Sequence, residues 1–255
     1  MEQVRAKKYL GQHFLKDEGI AQRIASSISP STKCLVEVGP GMGVLTKYLV
    51  QRSDIDFYAV EIDSESVVYL NQHYPELKLI EADFLRLNLS NFLAPAQPTL
   101  SIIGNFPYNI SSQILFKVFD NRSIVTEVVG MFQKEVAERV AAKPGSKTYG
   151  ILSVLLSAFY DIEYLFTVSE DVFSPPPKVK SAVIRLRRNT VDALPCDESL
   201  FVKVVKTGFN QRRKTLHNAL KPLGLNADSV PSDLLRQRAE QLSVSDFILI
   251  TNHLC

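Results

Sequence analysis

A short apolar segment, followed at once by three closely spaced glycines and then by a helix-forming stretch, constrains the fold of this chain more than any other feature. Residues 34–38, Cys-Leu-Val-Glu-Val, are typical of a buried strand. Gly39, Gly41 and Gly43 follow, and residues 44–50 predict the start of a helix. Such glycines let the backbone approach a ligand beside a helix N-terminus, as in the first unit of a nucleotide-binding sheet. We therefore predict an α/β fold with a Rossmann-like, doubly wound sheet.

Polar side chains stand at the ends of three further apolar segments. Glu61 follows the predicted strand 57–60, Asp83 follows strand 77–81, and Asn105 follows strand 100–103. Because the carboxyl ends of parallel strands form one ligand-binding crevice, we expect these side chains to converge. A carboxylate at Glu61 suits ribose hydroxyls, and one at Asp83 can accept from an exocyclic amine such as adenine N6. The alternatives are a solvated helix-cap role for Glu61 and an N-cap role for Asp83.

The tetrad Asn105-Phe106-Pro107-Tyr108 indicates the chemistry. It combines a carboxamide, a backbone carbonyl held by a proline and an aromatic ring, a set that can grip a planar amine on a ring. The alternative is an ordinary β-turn, because Asn and Pro both favour turns. The position of the tetrad after a strand, downstream of the glycine loop, favours the functional interpretation.

Two cofactors fit a glycine loop followed by a ribose-binding acid, a nicotinamide dinucleotide or S-adenosylmethionine. The dinucleotide fingerprint requires Gly-x-Gly-x-x-Gly, and Val44 stands where its last glycine belongs. No hydride-transfer site is recognisable, whereas the amine-gripping tetrad suits methyl transfer to nitrogen. We therefore predict S-adenosylmethionine as the cofactor.

The motifs together resemble a known family. The chain is similar, nearly end to end, to the KsgA-type small-subunit ribosomal RNA adenine N6-dimethyltransferases, within the wider rRNA adenine N6-methyltransferases. The resemblance is carried by residues 10–15 (LGQHFL), 37–43 (EVGPGMG), Glu61, Asp83, residues 104–109 (GNFPYN), 173–179 (FSPPPKV) and 209–215 (FNQRRKT). The last two segments distinguish it from the antibiotic-resistance (Erm-type) methylases of large-subunit RNA.

The resemblance implies roles for individual residues. The expected cofactor-binding residues are His13, Leu15, Gly39, Gly41, Glu61, Asp83 and Asn105, and the expected catalytic residues are Asn105, Pro107, Tyr108 and Phe173. Two departures are visible: many relatives have Asn at position 13, where the alternative role is an exposed loop histidine, and Phe106 replaces the commoner Leu or Ile. Histidine, like asparagine, can still donate or accept a hydrogen bond at this position.

The implied chemistry needs few side chains. Adenine N6 is a weak nucleophile because its lone pair is delocalised into the ring. The resemblance implies that the Asn105 side-chain oxygen and the Pro107 carbonyl accept from the amine, localise the lone pair and aim it at the methyl group. Tyr108 and Phe173 are expected to stack on opposite faces of the extruded base, although buried aromatic residues are usually core. We assign no general base and no metal ligand.

Charge is distributed unevenly along the chain. The net charge is only +2, yet residues 178–221 hold eleven Lys or Arg and three acids, and the first 16 residues hold four basic residues and one acid. Basic clusters of this kind suit a phosphate backbone. Leu216 and Leu220 suggest a helical stripe over 211–221 that leaves the arginines free for phosphates, the alternative being a solvated helix face. The predicted RNA-binding residues are Lys7, Lys8, Arg212, Arg213 and Lys214.

The predicted organisation has two domains, a catalytic domain over residues 1–188 and a small all-α RNA-binding domain over 189–255. Later strands are expected at 125–132, 162–168 and 182–186, helices at 111–119 and 134–141, and a buried helix around 150–160. Cys34, Cys196 and Cys255 suggest neither disulfides nor a metal site, and no signal peptide or membrane span is visible. We expect a cytoplasmic monomer.

The resemblance implies the function in detail: methylation of N6 on two adjacent adenines near the 3′ end of 16S ribosomal RNA within the small (30S) subunit, coupled to late biogenesis of that subunit. Two alternatives stay open. One is a methyltransferase of the same family with another RNA target, and the other is a non-catalytic RNA-binding assembly or transcription factor that kept the fold.

Overall fold

The computed structural model describes residues 4–224 and 230–254. The chain divides into two compact units. Unit 1 comprises Met1–Ala137 and Glu163–Arg188, and unit 2 comprises Glu138–Ile162 and Asn189–Cys255. The chain therefore leaves unit 1, returns to it and leaves it again. The expected boundary after residue 188 coincides with the last of these changes, whereas the segment 138–162 adds a second piece to unit 2 that a single boundary does not describe.

The elements alternate between strand and helix over most of unit 1. The strands are β1 (Phe14–Leu15), β2 (Cys34–Val38), β3 (Asp56–Glu61), β4 (Lys78–Glu81), β5 (Leu100–Asn105), β6 (Val125–Gln133), β7 (Tyr160–Val168), β8 (Phe173–Ser174) and β9 (Ser181–Arg188). The α-helices are α1 (Glu18–Ala25), α2 (Thr46–Leu49), α3 (Ser64–His73), α4 (Ser111–Asp120), α5 (Lys134–Val140), α6 (Ile151–Ser157), α7 (Glu198–Asn210), α8 (Leu216–Ala219), α9 (Ser232–Arg236) and α10 (Val244–Asn252).

Among the described residues, seven strands form one sheet in the order β4-β3-β2-β5-β6-β9-β7. Strands β2 to β6 run parallel to one another, and β9 runs antiparallel to β6. The chain moves outward from β2 through β3 to β4 and then returns to the other side of β2 as β5. This reversal creates a topological switch point between β2 and β5, where open α/β sheets bind their ligands. The doubly wound α/β fold is confirmed.

Strand β2 lies inside the sheet and every one of its residues is buried. A central parallel strand is covered on both faces, which explains its continuous apolar sequence. Glu37 is the exception in this run, and its carboxylate accepts a hydrogen bond from the Thr46 hydroxyl at 2.7 Å. Because Thr46 opens α2, this bond ties the strand to the helix on the other side of the glycine loop.

Most of the strands are longer than the sequence predicts. Strand β5 continues through Asn105, so this residue ends a strand and does not begin a turn. The buried helix expected around 150–160 is α6, but Tyr160 already belongs to β7. A two-stranded antiparallel pair, with Phe14 opposite Ser174 and Leu15 opposite Phe173, was not predicted, because two-residue strands carry no periodicity.

Unit 2 is helical after residue 197, as predicted, although residues 225–229 and 255 lie outside the described residues. The expected helical stripe over 211–221 is wrong as a continuous helix. Helix α7 ends at Asn210, a turn covers 211–214, and α8 begins only at Leu216. Leu216 and Leu220 are nevertheless fully buried, so the apolar periodicity marked the core correctly.

Phe106 is the member of the tetrad whose side chain points into the core. Its ring is buried and packs against Phe132 at a centroid distance of 5.0 Å. The ring also covers Gly130 on β6, where an added Cβ would lie only 2.6 Å from Phe132 Cε2 and closer still to Phe106 Cε2. The bulkier residue at position 106 therefore requires glycine at position 130.

This packing predicts the effect of Gly130→Ala. The added methyl group overpacks the core, so we expect the free energy of unfolding to fall by about 1–3 kcal/mol, measured by urea denaturation. Phe106→Leu should restore part of the loss in the double variant. Gly19→Ala, on the exposed start of α1, is the control and should be neutral or slightly stabilising. A Gly130→Ala variant as stable as wild type would contradict the account.

Candidate active site

A cavity of about 280 Å³ opens at the switch point of unit 1. Its wall combines the ends of β2, β3 and β5, the loop after β4, and the N-terminal segment, by which we mean residues 7–15. Eight of the predicted site residues line this cavity: His13, Gly39, Gly41, Glu61, Asp83, Asn105, Pro107 and Tyr108. The sheet thus brings together side chains from distant positions of the chain.

The glycine loop brings its backbone close to the tetrad. Gly39 and Gly41 have φ values of 68° and 57°, a region that other residues rarely adopt. A Cβ on Gly41 would lie 2.9 Å from the Phe14 ring, and one on Gly39 would lie 3.7 Å from Pro107 Cδ. Side chains at these positions would therefore be strained and would fill the space between the loop and the tetrad.

Glu61 is buried at the end of β3 and is held by backbone amides. Its Oε1 accepts from the N–H groups of Ile62 and Asp63 at 2.8 and 2.9 Å, and its Oε2 accepts from Gly41 at 3.0 Å. Burial raises the pKa of the Glu61 carboxyl, while the three amides oppose that shift. These bonds orient both oxygens and occupy both lone pairs of Oε1, so Oε2 keeps one lone pair for a further donor.

Asp83 has the capping role considered for it and also lines the cavity. Its Oδ1 accepts from the Leu85 amide at 2.9 Å and so caps the short 3₁₀-helix Phe84–Arg86. The residue also lines the cavity, and its side chain is only partly exposed. A capping carboxylate has remaining lone pairs, so capping and ligand contact are compatible.

The Asn105 side chain is oriented by one hydrogen bond. Its Nδ2 donates to the backbone carbonyl of His13 at 2.9 Å. The partner is an acceptor, so the amide nitrogen must face it and Oδ1 is left as an acceptor. The Pro107 carbonyl accepts from the Ile110 amide at 3.2 Å and retains its second lone pair. The tetrad therefore offers two acceptors to the cavity.

Tyr108 lines the same cavity and is fixed at its far end. Its hydroxyl lies 2.5 Å from the Ser181 hydroxyl, and its half-buried ring lies 5.2 Å from the His13 ring at an angle of 32°. His13 is itself fixed, because its Nδ1 lies 2.8 Å from the Pro175 carbonyl. The departure at position 13 thus adds an aromatic neighbour to Tyr108 and a link to the loop after β8.

The N-terminal segment is attached to the strand that carries Glu61. Lys7 forms an ion pair with the buried Asp63 and another with Glu65 at 3.2 Å, and the Gln12 amide donates to Asp63 at 3.2 Å. Burial favours protonation of Asp63, but the bonds from Lys7 and Gln12 prevail and lower its pKa. Gln12 and Asp63 were not predicted as site residues, although both adjoin residues that were.

Two predicted residues do not line the cavity. The Leu15 and Phe173 side chains face each other across the β1–β8 pair and are buried in the hydrophobic core of unit 1. Phe173 is 1% exposed, so in this conformation its ring is not available to stack on a base. Strands of two residues have no apolar periodicity, so the sequence gives no signal that the Leu15 and Phe173 side chains face the core and not the cavity.

The predicted RNA-binding residues differ in their surroundings. Lys8, Arg213 and Lys214 are exposed. Lys7 is engaged with Asp63, and Arg212 donates to the Lys147 carbonyl and lies 3.9 Å from the Glu240 carboxylate. Arg212 is exposed as well, so its contact with phosphates stays a prediction, in which a phosphate would compete with these partners in unit 2 for the guanidinium.

The family follows from comparison with known proteins. A family model described as ribosomal RNA adenine dimethylase matches residues 3–254. The chain belongs to this family. It is 58% identical to the ribosomal RNA small subunit methyltransferase A of Cytophaga hutchinsonii, over 100% of this chain and 99% of that protein. It is 56% identical to the protein of the same name from Bacteroides thetaiotaomicron, over 99% of this chain and 95% of that protein.

Solved structures of relatives have the same fold. A dimethyladenosine transferase from Plasmodium falciparum has a TM-score of 0.77 at 26% identity, covering 93% of this chain and 96% of that one. The 23S rRNA methyltransferase ErmE has a TM-score of 0.67 at 23% identity, covering 93% and 99% respectively. The expected methyltransferase sheet and the assignment to an rRNA adenine dimethyltransferase family are confirmed.

Neither a metal centre nor a membrane span is present in the part of the chain that the structure describes. No group of His, Cys, Asp and Glu is arranged to hold a metal ion among these residues, and neither Cys34 nor Cys196 forms a disulfide bond. None of the described helices is long and apolar enough to span a membrane. Cys255 lies outside the described residues.

Glu37 beneath the glycine loop predicts a pH dependence of stability. Burial raises the pKa of its carboxyl from 4.5 to about 8. Between these values the folded protein keeps a proton that the unfolded chain has lost, so this group destabilises the fold increasingly as pH rises. We expect the free energy of unfolding of wild type, relative to Glu37→Gln, to fall by about 1.4 kcal/mol per pH unit in this interval. Urea denaturation from pH 5 to 8 measures it, and parallel curves for the two proteins would contradict it.

Proposed function

We propose that this protein transfers methyl groups from S-adenosylmethionine to N6 of two adjacent adenines near the 3′ end of 16S ribosomal RNA, giving N6-dimethyladenosines in the late small subunit. The observation that carries the proposal is the pair of acceptors at the switch point. Asn105 Nδ2 donates to the His13 carbonyl, which leaves Oδ1 as an acceptor, and Pro107 lines the same cavity. An exocyclic amine with two N–H groups matches that pair.

The cofactor assignment rests on the family and on the donor set of the cavity. Glu61 would accept from the ribose hydroxyls, Asp83 from the adenine amine, and Gly39 and Gly41 would face the methionine end. His13 and Asn105 would complete the site, and Leu15 would contribute through its backbone because its side chain is buried. S-adenosylmethionine supplies, when bound, an electrophilic methyl group on a sulfonium.

The protein contributes positioning and electrostatics. Asn105 Oδ1 and the Pro107 carbonyl accept hydrogen bonds from the two N–H groups of the amine. These bonds favour a tetrahedral nitrogen with a localised lone pair. The attached proton becomes acidic only after the new C–N bond forms, so no base is needed before attack. No carboxylate of the cavity is required in this step, since Glu61 and Asp83 are committed to orienting the cofactor.

Tyr108 is the residue that we assign to stacking on the target base. Its hydroxyl is anchored by Ser181 and its ring is only half buried, so a flat surface is held rigidly at the cavity. Stacking compensates for the interactions that the base loses on leaving its RNA stack. Phe173 supports this region from the core.

The substrate is proposed to be the RNA within the 30S subunit, bound by a monomer in the cytoplasm, where ribosomes assemble. Names of the bacterial relatives refer to the small ribosomal subunit, which favours this target over large-subunit RNA. Lys8, Arg213 and Lys214 are exposed and suit phosphate contacts, and residues 189–255 would act as the RNA-binding domain. The complete acceptor pair argues against a purely non-catalytic assembly factor.

The deciding experiment is transfer of a radiolabelled methyl group from S-adenosylmethionine to unmethylated small subunits, with large subunits and free ribosomal RNA in parallel. Digestion of the RNA then identifies the modified nucleoside. Dimethyladenosine in the small subunit alone supports the proposal. Label only in the large subunit would favour the other RNA target, and no label from folded protein would favour the assembly factor.

Replacement of the acceptor tests the mechanism. Asn105→Ala should lower the single-turnover methylation rate by at least about 100-fold while cofactor affinity falls much less, because the acceptor acts mainly on the reacting amine. Asn105→Asp keeps the oxygens but loses the donor to His13, so it should also be impaired. Asn91→Ala, at an exposed asparagine outside the cavity, is the control. Wild-type rates in Asn105→Ala would exclude the mechanism.

The basic turn of unit 2 predicts a salt effect. Arg213→Ala with Lys214→Ala should weaken binding to small subunits and reduce the slope of log affinity against log salt by about one for each phosphate that is no longer neutralised. Arg212→Ala is the comparison and should change the slope less, because its guanidinium is held by Lys147 and Glu240. An unchanged slope in the double variant would show that Arg213 and Lys214 are solvated surface residues that do not contact phosphates.

A further inference from the structure

The loop from Pro175 to Lys180 is connected at both ends to residues that line the cavity. At its start the Pro175 carbonyl lies 2.8 Å from His13 Nδ1. At its end the Lys180 carbonyl accepts from the Lys134 amide at 2.9 Å, and the next residue, Ser181, holds the Tyr108 hydroxyl. His13 and Tyr108 both line the cavity, so the loop connects two of its wall residues.

One residue of this loop is unusual in its exposure. Val179 is a large apolar side chain that is 47% exposed. A single exposed valine carries no meaning by itself, but this one lies only two residues before the anchor of Tyr108. Its β-branched side chain has few rotamers, and Pro177, two residues before it, is buried, so the isopropyl group stands on a chain segment that is held on both sides.

Positive charge surrounds the same residue. Lys178 and Lys180 flank Val179 and are exposed, and Lys16 is joined to this region by a bond from its amide to the Val172 carbonyl at 2.8 Å. Asp171 is the acid nearby; a hydrogen bond from Ser169 chiefly lowers its pKa, with smaller effects of Lys16 and Lys180. An apolar tip between lysines is complementary to stacked bases between phosphates.

The proposed reaction needs such an element. A target adenine must leave its stack to reach Asn105 and Tyr108, and extrusion costs a few kcal/mol. Proteins that unstack nucleic acid commonly insert an aliphatic side chain into the gap, which prevents the base from returning. The cavity itself receives the base but contains nothing to fill the place that the base vacates.

We propose that Val179 is the wedge that enters the RNA stack as the target adenine is extruded, while Lys178 and Lys180 grip the phosphates on either side of it. This assignment rests on the proposed function, because it presupposes an adenine in RNA as the substrate. Val179 is thus a positioning residue that touches the neighbouring base and does not touch the reacting atoms.

The test uses small subunits reconstituted with ribosomal RNA that carries 2-aminopurine, a fluorescent base, at the first methylated adenine. Wild-type protein should raise the fluorescence on binding, and Val179→Ala should give a much smaller rise at saturation. On subunits with natural adenine, Val179→Ala should lower the single-turnover methylation rate about tenfold with affinity changed less than about twofold. Val179→Leu should restore both readouts.

The matched control is Val50→Ala, which removes an exposed valine of similar exposure elsewhere in unit 1. It should leave fluorescence and rate unchanged. A Val179→Ala variant with the wild-type fluorescence rise and methylation rate overturns the wedge. Wild-type protein that neither methylates the natural subunits nor raises the fluorescence refutes the proposed function itself, so the two failures are distinguishable.

The lysines are tested separately. Lys178→Ala with Lys180→Ala should weaken binding and make its salt dependence shallower by about two, since two phosphates are then no longer neutralised by the protein. At saturating protein the fluorescence rise should be retained. An unchanged salt slope overturns the phosphate assignment, and the absence of a fluorescence rise at saturation overturns the division of roles between the lysines and Val179.

Discussion

The hydrogen bond from the Asn105 amide to the His13 carbonyl is the interaction on which the site depends. It joins the end of β5 to the N-terminal segment and leaves the Asn105 oxygen as an acceptor in the cavity. His13 is held in turn by the Pro175 carbonyl, and its neighbour Gln12 is held by Asp63. Because the Asp63 amide bonds to Glu61, the proposed acceptor for the target amine and the proposed carboxylate for the ribose belong to one connected network.

The strand order of the sheet makes this network possible. Strands β2 and β5 are neighbours although they are far apart in the sequence, and the chain turns outward on opposite sides of them. Glycine is favoured at positions 39 and 41 because both have positive φ, and at position 41 a side chain would also lie too close to the Phe14 ring. In the same unit, the large Phe106 side chain depends on Gly130, where an added side chain would meet the Phe106 and Phe132 rings. The sizes of the side chains and the backbone geometry at these positions therefore set the shape of the cavity.

Residues predicted from strand ends and residues predicted from charge had different outcomes. Glu61, Asp83 and Asn105 were found because each follows an apolar strand, and parallel strands align their ends. Lys7 and Arg212 were predicted as phosphate ligands from charge alone, yet Asp63 holds the first, and Lys147 and Glu240 hold the second. Charge along a sequence shows where cations are abundant, but the partner of any one cation comes from a distant part of the chain. Phe173 illustrates the same limit for aromatic residues, since burial depends on what packs above it.

Apolar periodicity, glycine placement and turn residues determined the α/β class, the cofactor-type crevice and the amine-gripping tetrad, because these are local properties that a short stretch of sequence expresses fully. The family resemblance added the substrate class. Tertiary structure alone decided that β1 pairs with β8, that Gln12 and Lys7 meet Asp63, and that Val179 stands beside the anchor of Tyr108. These interactions join residues as far apart as His13 and Pro175, which are 162 positions from each other in the sequence. Pairing of such distant residues follows from how the whole chain packs, and no local pattern records it.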